Sequence, residues 1–127
     1  MARFAPPIPI LRSFDEVKAR EFYIDFLGFT PTFEFRFEPD TPLYTGLILD
    51  RCEIHLSEHF GDASPGASLR IEVDDVHRYC KALNAKSYRH ARPGVQHQPW
   101  GMDDMTISDP FGNRLIFCTD RPNPTPQ

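Results

Sequence analysis

The sequence predicts an α+β fold made of two tandem βαβββ modules, and two observations carry that prediction. A weak internal repeat relates the halves. The apolar strand Ile8–Ser13 runs into Asp15-Glu16-Val17 and a helix, and the strand Ser68–Val73 runs into Asp74-Asp75-Val76 and a second helix. The offset between Asp15 and Asp74 is 59 residues, and the same offset sets Phe29 against Tyr88 beyond the helices. A period of that length is the mark of a duplicated supersecondary unit. The second observation is a strand, a tight turn and a strand near the C-terminal end. There Met105, Ile107, Leu115 and Phe117 alternate with polar neighbours around Asp109-Pro110-Phe111-Gly112-Asn113. Alternation is the period of a half-buried strand, and Pro followed by Gly-Asn is turn chemistry.

Each element then follows in order. The head Ala5-Pro6-Pro7-Ile8-Pro9 is stiff and extended. Asp15 is placed to cap the first helix and Glu16 to complement its positive end. Ala19, Phe22, Tyr23, Phe26 and Leu27 recur at helical spacing and make one apolar face, and Gly28 supplies a left-handed stop. Strands are expected over Phe29–Phe37, Leu43–Leu49 and Glu53–Ser57. The segment from Glu58 to Gly66 is rich in turn formers and links the modules, which span about 6–60 and 67–120 of a single domain 1–127. The second module runs strand, helix Asp75–Asn84, a short strand near Ser87–Ala91, the loop Arg92–Trp100 and the closing hairpin. The tail Arg121–Gln127, with three prolines, is expected to be disordered.

Composition narrows the function. One domain is the default for 127 residues, and eleven Phe with four Tyr make its core or a cavity within it strongly aromatic. A net charge of −4 argues against tracking phosphates on a nucleic acid. Three cysteines, Cys52, Cys80 and Cys118, form no CxxC pair and no disulfide framework, so reduced thiols are expected. No apolar run reaches membrane-spanning length and no secretory signal is visible, so a cytoplasmic protein is expected. Neither a nucleophile elbow nor a glycine-rich phosphate loop occurs.

Three stretches carry a resemblance. Pro99-Trp100-Gly101 followed by Asp109-Pro110-Phe111-Gly112-Asn113-Arg114-Leu115-Ile116-Phe117, with Ile8–Asp15, Phe22-Tyr23 and Leu27-Gly28-Phe29, is similar to the vicinal-oxygen-chelate superfamily. That superfamily comprises glyoxalases, bleomycin-resistance proteins and extradiol dioxygenases, and the likeness covers roughly residues 6 to 120. The Pro-Trp-Gly form most resembles the bleomycin-resistance and glyoxalase-like branch. The resemblance implies a mixed, curved sheet around a cavity, a homodimer, and exchange of the first strand between subunits.

About half of that superfamily is metal-dependent. The resemblance puts the metal-ligand positions at Ile8, His55, Ser68 and Ile116. Only His55 could ligate a divalent ion, and a catalytic metal generally takes about three protein ligands. The chain therefore resembles the metal-free binding branch, with no cofactor. Glu53, His55 and Ser57 share one strand face by period two. Trp100, the only tryptophan, offers an indole face for flat heteroaromatic groups and for cations, and Phe33 and Phe35 are candidates for an opposing wall. Arg70 either pairs with Glu72, Glu53 or Asp104, or anchors an anionic ligand. Of Asp103-Asp104, one is expected inward and one outward. The function expected is non-catalytic binding of a flat cationic glycopeptide antibiotic of the bleomycin type. The alternatives are a metal-dependent glyoxalase-like lyase or isomerase, and a binder of an anionic metabolite held by Arg70. No nucleic-acid or membrane partner is expected.

Overall fold

A computed structural model describes residues 1–121. The chain forms two compact units, the first ending at Pro65 and the second starting at Gly66. Each is a βαβββ unit with its own four-stranded mixed sheet.

In the first unit, β1 (Ile10–Arg12) is followed by a helix, then β2 (Thr30–Phe35), β3 (Tyr44–Leu49) and β4 (Cys52–Ser57). The sheet order is β1-β4-β3-β2, with β1 parallel to β4 and the other pairs antiparallel. The strand expected at Ile8–Ser13 is ladder-paired only over Ile10–Arg12. Pro9 has no N–H to donate, although its carbonyl accepts from the His55 amide at 2.9 Å. Strand β2 stops at Phe35, and a bulge between Pro31 and Phe33 interrupts its register.

The helix begins as expected. Asp15 is extended at its N-cap, and its carboxylate accepts from the Lys18 amide at 3.0 Å. After one α turn, α1 (Glu16–Ala19), it widens into a π-helical stretch over Arg20–Phe26. The Leu27 amide bonds the Phe22 carbonyl five residues back, at 2.9 Å. Phe22, Tyr23, Phe26 and Leu27 all have at most 2% of their surface exposed. Four bulky groups in adjacent pairs are presented to one side more evenly by the wider turn than by a regular α-helix. Gly28 then takes φ +100° and releases the chain into β2.

Alternation along the strands gives the sheet two faces. Thr45, Leu47 and Leu56 line a crevice with Glu16, Ala19 and Arg20, so this face looks at the helix. The other face carries Tyr44, Gly46 and Ile48 opposite Ser57, His55 and Glu53, with Phe33 opposite Gly46 and Ile10 beside His55. It is free of the unit's own helix.

The second unit repeats the plan: β5 (Ser68–Glu72), α2 (Val76–Ala85), β6 (Gln96–His97), β7 (Met102–Ser108) and β8 (Arg114–Asp120), in the order β5-β8-β7-β6. Met105, Ile107, Leu115 and Phe117 are at most 4% exposed. The Tyr79 ring of α2 meets Phe117 edge-on at 5.1 Å. The turn between β7 and β8 is knotted by Asp109. Its Oδ1 accepts from the amides of Phe111 and Asn113, both at 2.8 Å, while Gly112 takes φ +91°.

Two expectations are corrected here. The short strand near Ser87–Ala91 does not form. Ser87 takes φ +55° where α2 ends, and the Pro93 carbonyl farther on is taken by the Asn84 side chain at 3.0 Å rather than by a ladder. The pairing strand is β6 instead. The tail was expected to begin at Arg121, but Arg121 is ordered: its amide donates to the Gly101 carbonyl at 2.9 Å and its guanidinium to the Gln98 carbonyl at 2.6 Å. The rest of the tail, 122–127, lies outside the described residues. The three cysteines are free thiols, Cys118 buried and Cys52 and Cys80 half-buried. Among the described residues no helix is long and apolar enough to cross a membrane.

Candidate functional site

The helix-free face of the first sheet gathers three rings. Phe33 stacks on Tyr44 with 6.0 Å between centroids and planes 16° apart. Both meet His55 edge-on, at 5.2 Å and 5.3 Å. The reason lies in the ladder: Phe33 stands opposite Gly46, where a Cβ would collide with the Phe33 ring and with Thr32 Oγ1. Only glycine lets the ring lie across the sheet. Phe33 is 42% exposed, so its face is open to a ligand.

A hydrogen-bonded chain crosses this group. Tyr44 Oη lies 2.7 Å from His55 Nδ1, and His55 Nε2 lies 3.3 Å from Glu53 Oε2. Burial first, and the negative charge of Asp62 second, hold the Tyr44 hydroxyl above its ordinary pKa, so it stays protonated. Phe35, 50% exposed, faces Phe37 edge-on at 5.0 Å, and Phe37 in turn meets His59.

Ser57 shares this strand face but is not offered to a ligand. It is fully buried, donates to Asp62 Oδ2 at 2.6 Å and accepts from the His59 amide at 3.1 Å. Its work is to close the loop after β4. Arg12, beside Ser57 on β1, donates to the His59 carbonyl and lies over the Phe14 ring at 4.9 Å.

In the second unit, Arg70 is held by Asp104. Its two terminal nitrogens reach the two carboxylate oxygens at 3.3 Å and 2.9 Å, the forked geometry that suits guanidinium and carboxylate. Of the three partners considered from sequence, Asp104 is the one that pairs. Asp104 thereby takes one contact from each terminal nitrogen and offsets the charge of Arg70, whose side chain stays 45% exposed.

The expectation for Asp103-Asp104 needs correction. Neither points into solvent, since both are 5% exposed, on opposite faces of β7. Asp103 receives His77 Nε2 from α2 at 2.7 Å and His97 Nδ1 from β6 at 2.5 Å, with Arg121 Nε at 3.1 Å. Burial pushes its carboxyl up. The hydrogen bonds of His77 and His97 and the charges of His97 and Arg121 outweigh that and leave its pKa below the ordinary value. Sequence reasoning missed this cluster because its members come from α2, β6, β7 and the residue after β8 and share no spacing.

Trp100 sits in the turn between β6 and β7, closed by the Gly101 amide on the Gln98 carbonyl at 3.1 Å, and is 64% exposed. It does not plug a core.

The residues at the implied metal positions do not suit a metal. Ile8 precedes β1 and, like Ile116, has no donor atom. Ser68 Oγ accepts from the Arg114 guanidinium at 3.1 Å and 3.2 Å, and both His55 nitrogens are engaged. No group of three or more His, Cys, Asp or Glu that could hold a metal ion occurs among the described residues.

Comparison with known proteins agrees with this architecture. No curated protein matches the chain. Among solved structures, a glyoxylase/bleomycin resistance protein/dioxygenase domain from Frankia sp. EAN1pec superposes with a TM-score of 0.75 at 18% identity, covering 97% of this chain and 96% of that one. A bleomycin-binding protein solved with bleomycin gives 0.71 at 20% identity, covering 93% of this chain and 100% of that one. The bleomycin resistance determinant encoded on transposon Tn5 gives 0.70 at 21% identity, covering 92% and 98%. At such identities the likeness is one of fold. The family model of glyoxalase superfamily proteins matches residues 2–123, nearly the whole sequence, and the chain is a member of that superfamily.

Proposed function

We propose that this protein is a non-catalytic small-molecule binder that sequesters a flat, cationic, bleomycin-type ligand at a cavity on a homodimer interface. The observation that supports it best is the aromatic group Phe33–Tyr44–His55, exposed at Phe33, with the carboxylate of Glu53 at its edge. Apolar stacking surface beside a few fixed polar groups is the usual make-up of a ligand site. Trp100 and Phe35 are the further ligand contacts in this reading, and the bleomycin-bound fold relative lends it weight. Such a role needs no bond-making step and no resident metal, and it suits a protein working in the cytoplasm.

Trp100 makes the test direct. Metal-free bleomycin is titrated into dialysed protein while indole emission is followed, with Trp100→Phe and added chelator as controls. Saturation at one ligand per subunit, unchanged by chelator, is the expected result. A flat titration, with no heat of binding in calorimetry, removes the drug reading.

A further inference from the structure

We infer that the open face of the first sheet selects planar N–H-donating cations, such as amidinium, guanidinium or protonated N-heterocycles, because the chain Glu53–His55–Tyr44 turns the Tyr44 hydroxyl into an acceptor. The inference rests on reading that face as the binding surface and goes on to name the ligand chemistry it takes.

The polarity follows from one end of the chain. An ionised carboxylate can only accept, so Glu53 Oε2 fixes the proton of a neutral His55 on Nε2, 3.3 Å away. Nδ1 is then an acceptor. Tyr44 Oη, 2.7 Å from it, must donate. With its single proton spent on His55, Tyr44 offers an approaching ligand only lone pairs. Glu53 adds a second acceptor: Oε2 serves His55, Oε1 makes no hydrogen bond among the described residues, and the side chain is 38% exposed. The floor beside them is the half-exposed Phe33 ring, stacked parallel to Tyr44. Aromatic faces attract cations and flat groups and give carboxylates nothing. Arg12, the cation on the neighbouring β1, is drawn away to the His59 carbonyl and the Phe14 ring. A flat cation with N–H groups thus finds a π-face and two acceptors, whereas a flat carboxylate of the same shape meets a negative charge and no donor.

Benzamidine and benzoate form an isosteric pair that reads this difference. Each is titrated into the full-length labelled chain near pH 8, above the ordinary imidazole range, and followed by two-dimensional NMR of the aromatic resonances. Benzamidine is expected to shift Phe33, Tyr44 and His55 saturably, and benzoate to leave them still. Tyr44→Phe, which keeps the stacked ring, weakens benzamidine about tenfold, the scale of one lost hydrogen bond to a charged group. His55→Phe frees the Tyr44 proton to turn outward and narrows the preference. Equal or tighter benzoate binding in the native chain overturns the polarity while keeping the face as a binding surface. Silence of these resonances with both probes overturns the binding surface as well. A flat bleomycin titration alongside saturable benzamidine removes only the drug.

Discussion

Gly46 decides whether the aromatic group can form. Any Cβ there lies well inside van der Waals contact with Phe33 and Thr32. Gly46→Ala is therefore expected to swing Phe33 off Tyr44, to cost about 1–3 kcal/mol of stability as overpacking does, and to weaken ligand binding. Urea denaturation beside the bleomycin titration checks both parts, and an Ala variant with unchanged midpoint and affinity contradicts the role given to Gly46. Asp103 supports a prediction in pH. Its folded pKa is lowered, so its contribution to stability is complete above the ordinary carboxyl value of about 4 and is lost as pH falls through the lower folded value. Asp103→Asn is expected to be less stable than the native chain at neutral pH and to show a flatter acid limb when the urea midpoint is followed from about pH 3 to 7. Parallel acid limbs contradict it. At this scale legibility was uneven. Phe33 and His55 were visible in the sequence because strand alternation puts them on a face. Tyr44 was not, because its place beside His55 depends on the β3–β4 register. Asp103, His77, His97 and Arg121 meet only once helix, edge strand and the segment after β8 are folded together.

Among the elements, the β7–β8 hairpin was the most legible because its signals are local. Alternation set the buried side, and Asp109-Pro110-Phe111-Gly112-Asn113 set the turn. The same locality makes it testable. Asp109 is 6% exposed and holds two amides and the Asn113 side chain, all at 2.8 Å. Asp109→Ala strands those donors and is expected to cost roughly 3 kcal/mol, whereas Asp109→Asn, which keeps one acceptor oxygen, costs less. Equal midpoints for the two variants contradict that ordering. The first helix shows the opposite case. Its apolar spacing reads as regular α-helix, and the π-helical widening is a tertiary outcome: the sheet accepts Phe22, Tyr23, Phe26 and Leu27 together, which no propensity scale weighs. The misplaced strand near Ser87–Ala91 failed for a similar reason. A two-residue edge strand such as β6 is fixed by its partner β7 rather than by its own sequence.

For the whole molecule, the repeat that predicted two βαβββ units describes the fold, while the assembly of two chains is a separate question. Net charge of −4 leaves little electrostatic barrier to self-association. The N-terminal stretch ahead of β1 is more telling. Phe4 is 93% exposed and Ile8 41%, on a segment stiffened by Pro6, Pro7 and Pro9, and β1 is an edge strand with one side unpaired among the described residues. Large apolar groups on a stiff arm beside an open strand edge are costly to leave in water, at about 25 cal/mol per Å² of apolar surface, and a second copy of the chain could cover them. A mass of twice 14.6 kDa is therefore expected in sedimentation equilibrium at micromolar concentration. The double variant Phe4→Asp with Ile8→Asp leaves the Pro9–His55 hydrogen bond in place and puts two charges on the arm. It is expected to sediment as a monomer with an unchanged far-ultraviolet spectrum, and to lose saturable bleomycin binding if the cavity needs both subunits. A variant that stays dimeric assigns the interface to another surface, and a monomer that still binds one ligand per chain places the site within a single subunit.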